Sequence, residues 1–143
     1  MADPAAWTNA LERARKYAPF LARALDRLPD LEAVLASGEG EKALQWSRNH
    51  GVHDDVGVAL RRERLALATT LAIGDLAGAF PLSRVVKELT NFADRALDTA
   101  IHSAIQERTG QSGVDGFIAL ALGKQGAGEL NYSSDIDPVL LYD

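Results

Sequence analysis

The chain has 143 residues, room for about one domain, and its lack of cysteine excludes a disulfide framework and thiolate metal sites or nucleophiles. Fifteen basic residues against twenty acidic ones give a net charge of −5, a balance that disfavours nucleic acid and anionic membrane as partners. A hydrophobic fraction of 47% and a charged fraction of 24% are those of an ordinary globular protein. The start, Met1-Ala2-Asp3-Pro4, has no basic region followed by an apolar stretch, and Leu65 to Phe80 is too short and too polar to span a bilayer. The expectation is a soluble, cytoplasmic protein.

From Ala5 to about Arg108 the chain is rich in Ala, Leu, Arg and Glu, residues that lose little on entering a helix. Ala6 to Ala18 reads as a helix stopped before Pro19, because a residue preceding proline is pushed out of the helical region. Phe20 to Leu28 and Leu31 to Ala36 follow as shorter pieces separated by Pro29. Ser37 to Gly40 is a loop, and Glu41 to Asn49 is helical again until Gly51. Asp54 is expected to cap a long helix running to about Ile73. Pro81 suits the first turn of the next helix, where its missing N–H costs nothing. In that helix Val85, Val86, Leu89, Phe92, Ala93, Ala96, Leu97, Ala100, Ile101, Ala104 and Ile105 recur at the 3.6-residue period, predicting one core-facing stripe.

From Thr109 onward the chain turns to Gly and Ser. Phe117 to Leu122 is a continuous apolar run between Gly116 and Gly123, the pattern of a strand buried on both faces. Gly123 to Ser134 is a polar connection with room for one helical turn around Gly128 to Asn131. Asp135-Ile136-Asp137 then leads into a second candidate strand, Val139 to Tyr142. The fold class that follows is α+β: a mostly helical array over residues 1–108, then the start of an α/β sheet over 109–143.

The chemistry is concentrated in the last segment. On a strand, Asp135 and Asp137 would project from one face and Ile136 into the core, because side-chain direction alternates with period 2. Two adjacent carboxylates repel unless a cation sits between them, and magnesium suits such a pair together with substrate phosphates. Upstream, Gly123-Lys124 opens a loop containing Gly126 and Gly128, where a phosphate could approach backbone N–H groups with Lys124 as counter-charge. Taken alone the Asp-x-Asp tripeptide is more often a solvated strand end, and the glycines match neither the P-loop nor the Gly-x-Gly-x-x-Gly pattern.

The combination is more specific than its parts. A buried strand, Gly123-Lys124, a ten-residue spacer and then the acidic pair resembles the nucleotidyltransferase superfamily. The run Leu122-Gly123-Lys124-Gln125-Gly126-Ala127-Gly128-Glu129-Leu130-Asn131-Tyr132-Ser133-Ser134-Asp135-Ile136-Asp137 resembles, within it, the bifunctional glutamine synthetase adenylyltransferase/adenylyl-removing enzymes. Pro19-Phe20-Leu21-Ala22-Arg23 and Arg61-Arg62-Glu63-Arg64 through Asp75-Leu76 are similar to the helical segments preceding that family's N-terminal, AMP-removing catalytic domain.

The resemblance implies a metal-dependent enzyme that removes AMP from adenylylated glutamine synthetase by phosphorolysis, in a family that also adenylylates it from ATP to regulate nitrogen assimilation. Asp135 and Asp137 would hold Mg²⁺ (or Mn²⁺), Gly123 and Lys124 would face phosphate, and Ser133-Ser134 would form the approach to the metal. Glutamine synthetase, nucleotide, phosphate and a nitrogen-regulatory signalling protein are the partners it implies. There are three departures: Lys124 for the superfamily's usual Ser or Gly, although the family itself reads this way, Gln125 where the family commonly has an apolar residue, and Pro138 where Leu or Ile is usual, which deletes a strand donor. The superfamily's third carboxylate lies on a later strand, so the chain is expected to be an inactive fragment. The alternative is a non-catalytic helical module that docks glutamine synthetase or a regulatory protein.

Other clusters read as structural. His50-Gly51-Val52-His53-Asp54-Asp55 fits no standard zinc spacing, His102 falls on the polar side of its helix, and Arg61, Arg62 and Arg64 suit a solvated face. Trp7, Trp46 and Phe80 read as core or interface aromatics.

Overall fold

A computed structural model describes residues 3–52, 54–110 and 113–143. The chain divides into two compact units, Met1–Val85 and Val86–Asp143.

The first unit is helical: α1 (Pro4–Tyr17), α2 (Pro19–Arg27), α3 (Pro29–Ala36), α4 (Gly40–Asn49) and α5 (Val56–Leu76). Three of them begin on proline, whose fixed φ and absent N–H suit the first helical position. Asp3 caps α1 by accepting from the Ala5 N–H at 3.0 Å. Asp55 caps α5, accepting from Gly57 N–H at 3.0 Å. Asp54, the expected cap, instead accepts from Arg62 at 2.8 Å, since it lies one residue too early to reach the first free N–H groups. The α5 helix packs on α4, α1, α2 and α3. Trp7, Leu25, Leu31, Leu35, Leu44, Leu67, Leu71 and Ile73 are fully enclosed there.

Two glycines make the aromatic centre of this unit. Trp7 and Phe80 meet edge to face at 5.7 Å. A Cβ on Gly74 would lie 2.1 Å from Phe80 Cδ2, and one on Gly40 would lie 2.9 Å from both rings. Inside the same core, the Ser47 and Thr70 hydroxyls pair at 2.8 Å, so burying them leaves neither unmatched.

The remaining elements are α6 (Leu82–Thr109), β1 (Phe117–Ala121), a single-turn α7 (Gly123–Gly126) and β2 (Pro138–Tyr142). Pro81 lies just before α6, its carbonyl accepting from Arg84 and Val85 N–H. β1 and β2 pair antiparallel, Phe117 opposite Tyr142 and Ala121 opposite Pro138. This is a mostly helical α+β fold.

Three expectations are corrected in the second unit. The helical turn lies at Gly123–Gly126 rather than Gly128 to Asn131, because Gly128, at φ +73°, turns the chain the other way. β1 is not buried on both faces: Ile118, Leu120 and, just beyond, Leu122 are about half exposed. Opposed residues share a face, so Ile118, Leu120, Val139 and Leu141 form one apolar surface. A two-stranded sheet offers no second layer to cover it. The opposite face, with Phe117, Ala119 and Ala121, borders a cavity of about 360 Å³ shared with Leu97 and Ile101 of α6. The α6 stripe therefore buries Val85 and Phe92, while Ala100 and Ala104 stay exposed. No helix among the described residues is long and apolar enough to cross a membrane.

Candidate functional site

The segment Leu122 to Asp137 is held to the second unit by side chains that chemistry does not need. Gln125 is buried and donates through Nε2 to Asp94 Oδ1 of α6 at 2.8 Å. Leu130 is buried, and its N–H donates to the Thr90 hydroxyl at 3.2 Å. These two anchors fix the loop at both ends of its glycine-containing stretch. Gln125 thus explains one departure from the family pattern: an amide here is satisfied by an acid on the neighbouring helix. The other amide atom of this side chain, Gln125 Oε1, is buried without a partner among the described residues.

The backbone between the anchors is tightly folded. Gly123 adopts φ +57°, a left-handed conformation that glycine enters without steric cost. A Cβ on Gly126 would stand 2.5 Å from the Ala121 carbonyl oxygen, so the turn after β1 closes only without a side chain there. Gly126, Ala127 and Gly128 N–H groups bond back to Leu122, Gly123 and Gln125, and Glu129 N–H bonds to Lys124 O at 2.8 Å. The loop's amides are consequently spent on its own carbonyls over most of that stretch. Lys124 is exposed on α7 and has no acidic partner among the described residues.

Past Leu130 the chain makes a compact turn. Asn131 Oδ1 accepts from Ser133 N–H at 3.0 Å, and Ser134 Oγ accepts from Asn131 N–H at 2.9 Å. Ser133 and Ser134 therefore build the turn that delivers the acidic pair. Asp135 and Asp137 follow it, both exposed and with no hydrogen-bond or ion-pair partner among the described residues. The pair precedes β2 instead of lying on it, because Pro138 opens that strand. Ile136, expected in the core, is 40% exposed. Among the described residues no third acid or histidine joins them in a metal-binding cluster. Two free carboxylates with open solvent around them suit a hard cation that keeps waters and phosphate oxygens as its other ligands.

The other candidates fall elsewhere. His53 of the His/Asp cluster lies outside the described residues; His50 stacks on Trp46 at 4.5 Å, and Asp54 and Asp55 serve Arg62 and the α5 cap. His102 is exposed, with Nδ1 2.9 Å from the Asp98 carbonyl oxygen. Trp7 and Phe80 belong to the core. Sequence reasoning missed the anchors Gln125, Asp94, Leu130 and Thr90; the one signal was Leu130, an apolar residue isolated in a polar loop.

Comparison with known proteins agrees on one family. The family described as Glutamate-ammonia ligase adenylyltransferase matches residues 8–143. The chain is similar to a protein of Rhodopseudomonas palustris (strain ATCC BAA-98 / CGA009) named bifunctional glutamine synthetase adenylyltransferase/adenylyl-removing enzyme, 37% identical over 81% of this chain and 12% of that protein. Proteins of the same name from Bradyrhizobium diazoefficiens and Neisseria meningitidis serogroup B are 31% and 29% identical, over 86% and 94% of this chain and 13% and 17% of theirs. The chain thus spans about an eighth of the length of such curated relatives. No solved structure matches it.

Proposed function

Because this chain belongs to the Glutamate-ammonia ligase adenylyltransferase family, we propose that it contributes the opening of a nucleotidyl-transfer centre that removes AMP from adenylylated glutamine synthetase by phosphorolysis. The observation that carries this reading is the partnerless pair Asp135 and Asp137, delivered by the Ser133-Ser134 turn at the end of a loop that begins on Gly123 and Lys124.

In the proposed reaction an orthophosphate oxygen attacks the adenylyl phosphorus. The bond from that phosphorus to the tyrosine oxygen breaks, the tyrosine oxygen leaves with the electron pair and takes up a proton, and ADP departs. Each residue has a definite task in it. Lys124, unpaired and exposed, offers a cation to orthophosphate. Asp135 and Asp137 would hold Mg²⁺ or Mn²⁺, which supplies charge neutralisation at the transferring phosphoryl group. Ser133 and Ser134 orient the two acids through the Asn131 turn, and Gln125 and Leu130 keep the whole loop on α6.

The complete enzyme incubated with orthophosphate and adenylylated glutamine synthetase should release ADP. Asp135→Asn should abolish that release while preserving shape, since the change removes a hard anionic ligand and no packing contact. ADP formation undiminished in Asp135→Asn and Asp137→Asn would assign the chemistry to other residues.

A further inference from the structure

The second helix carries charge that the fold leaves unmatched. Phe20, Arg23, Ala24 and Arg27 recur on one side of α2 and, with Leu65 of α5, line a groove of about 240 Å³. Ala24 is buried at its floor, whereas Phe20 is 62% exposed and Tyr17, at the adjoining end of α1, is 71% exposed. Arg23 donates through Nε to the Pro19 carbonyl at 3.2 Å, and neither Arg23 nor Arg27 has an acidic partner among the described residues.

Several other cations of this unit are matched. Arg15 is held by Asp26 and Glu32, Lys42 by Glu39, Arg62 by Asp54 and Arg84 by Glu41. Asp26, the acidic residue of α2, is turned to Arg15 and so does not neutralise the two arginines. A chain of net charge −5 therefore carries a positive, aromatic-rimmed groove against its own overall sign. Exposed aromatics with arginine are the side chains that protein interfaces concentrate, and a guanidinium fork matches a carboxylate in geometry as well as charge.

We infer that this groove docks an acidic peptide segment of a partner protein. One apolar side chain of that segment seats between Phe20 and Leu65, and carboxylates flanking it reach Arg23 and Arg27. The two arginines stand one helical turn apart, about 6 Å along the axis, so two acidic side chains close in the peptide engage both. This inference is independent of the chemistry at Asp135 and Asp137.

The test is fluorescence anisotropy on the complete chain at low salt, with a short fluorescein-labelled peptide of Glu and Asp flanking a central Phe. Saturable binding is expected, weakened about tenfold or more by Arg23→Glu with Arg27→Glu, and by Phe→Ser in the peptide. Both arginines are exposed, so the variant should keep its circular dichroism and melting temperature, while Lys87→Glu should leave binding unchanged. No saturable binding, or binding that survives the double change, overturns the inference. Tighter binding of a single-stranded oligonucleotide through the same arginines would overturn it in favour of nucleic acid. A concentration-dependent dimer in sedimentation, dissolved by the double change, would overturn it in favour of a second copy.

Discussion

At Gly74 the choice of residue is dictated by a neighbour six positions later. The Phe80 ring occupies the space a Cβ would take, 2.1 Å from Cδ2 and 2.5 Å from Cε2. Ring carbons cannot retreat without disturbing the Trp7 contact, so Gly74→Ala should destabilise the chain by about 1–3 kcal/mol, the usual cost of overpacking. Phe80→Leu should relieve part of that in the double variant, as a urea titration would reveal; additive losses would mean the clash is absorbed elsewhere. His50 supplies a second expectation at this scale. Burial, helped by the Arg62 charge and opposed by Asp54, holds its pKa below the ordinary 6.5. The folded chain thus prefers the neutral ring while the unfolded chain takes up the proton first. Its contribution is complete above about pH 6.5 and is lost as pH falls through the lower folded value. Melting temperatures of His50→Gln should therefore fall less between pH 8 and pH 5 than those of the parent; identical slopes would remove His50 from the pH response. Neither feature was legible beforehand. A glycine near a helix end signals a turn in sequence, and only packing reveals that Gly74 makes room for a ring.

Helix starts were readable to within about two residues, because proline and Asp or Ser act locally through φ and through the first free N–H groups. The error at α5 is instructive in that respect. Two adjacent aspartates offer the same chemistry, and the choice between them depends on Arg62 two turns along, which draws Asp54 away at 2.8 Å. Asp55→Ala should then cost about 1 kcal/mol as a lost cap, whereas Asp54→Ala, breaking a solvent-exposed pair, should cost well under that. Equal losses in thermal melts would restore Asp54 as the cap. The strands were found for a similar local reason, but their burial was not. A run such as Phe117 to Leu122 is apolar at every position, and that pattern states what the strand tolerates on each face, not which faces are covered. The acidic pair suffered the same ambiguity: period-2 spacing placed it on a strand, while Pro138 moved the strand start past it. The specific motif nevertheless put Gly123, Lys124, Asp135 and Asp137 in one segment, since that information lies in the order of residue types rather than in contacts between them.

Across the whole molecule, packing is distributed unevenly between the two units. Helices of the first enclose large side chains such as Trp7, Leu25, Leu31, Leu67 and Leu71 at under 2% exposure, and the buried Ser47 and Thr70 hydroxyls satisfy each other. The second has a two-stranded sheet with Ile118, Leu120, Val139 and Leu141 uncovered on one face and a cavity of about 360 Å³ on the other. Two strands are marginal in isolation, and local opening is cheapest where few apolar contacts must be broken. Amides of β1 and β2 should accordingly exchange with deuterium at least about tenfold faster than those of Ala66 to Ile73 in α5. The same looseness bears on catalysis. Phosphoryl transfer rests on positioning and charge stabilisation, and here two carboxylates stand free on an irregular segment with no third acid beside them among the described residues. The 143-residue chain assayed by itself should therefore release no ADP from adenylylated glutamine synthetase above background. Release at a rate near that of a longer enzyme, persisting through purification and abolished by Asp137→Asn, would mean that two carboxylates on this loop suffice.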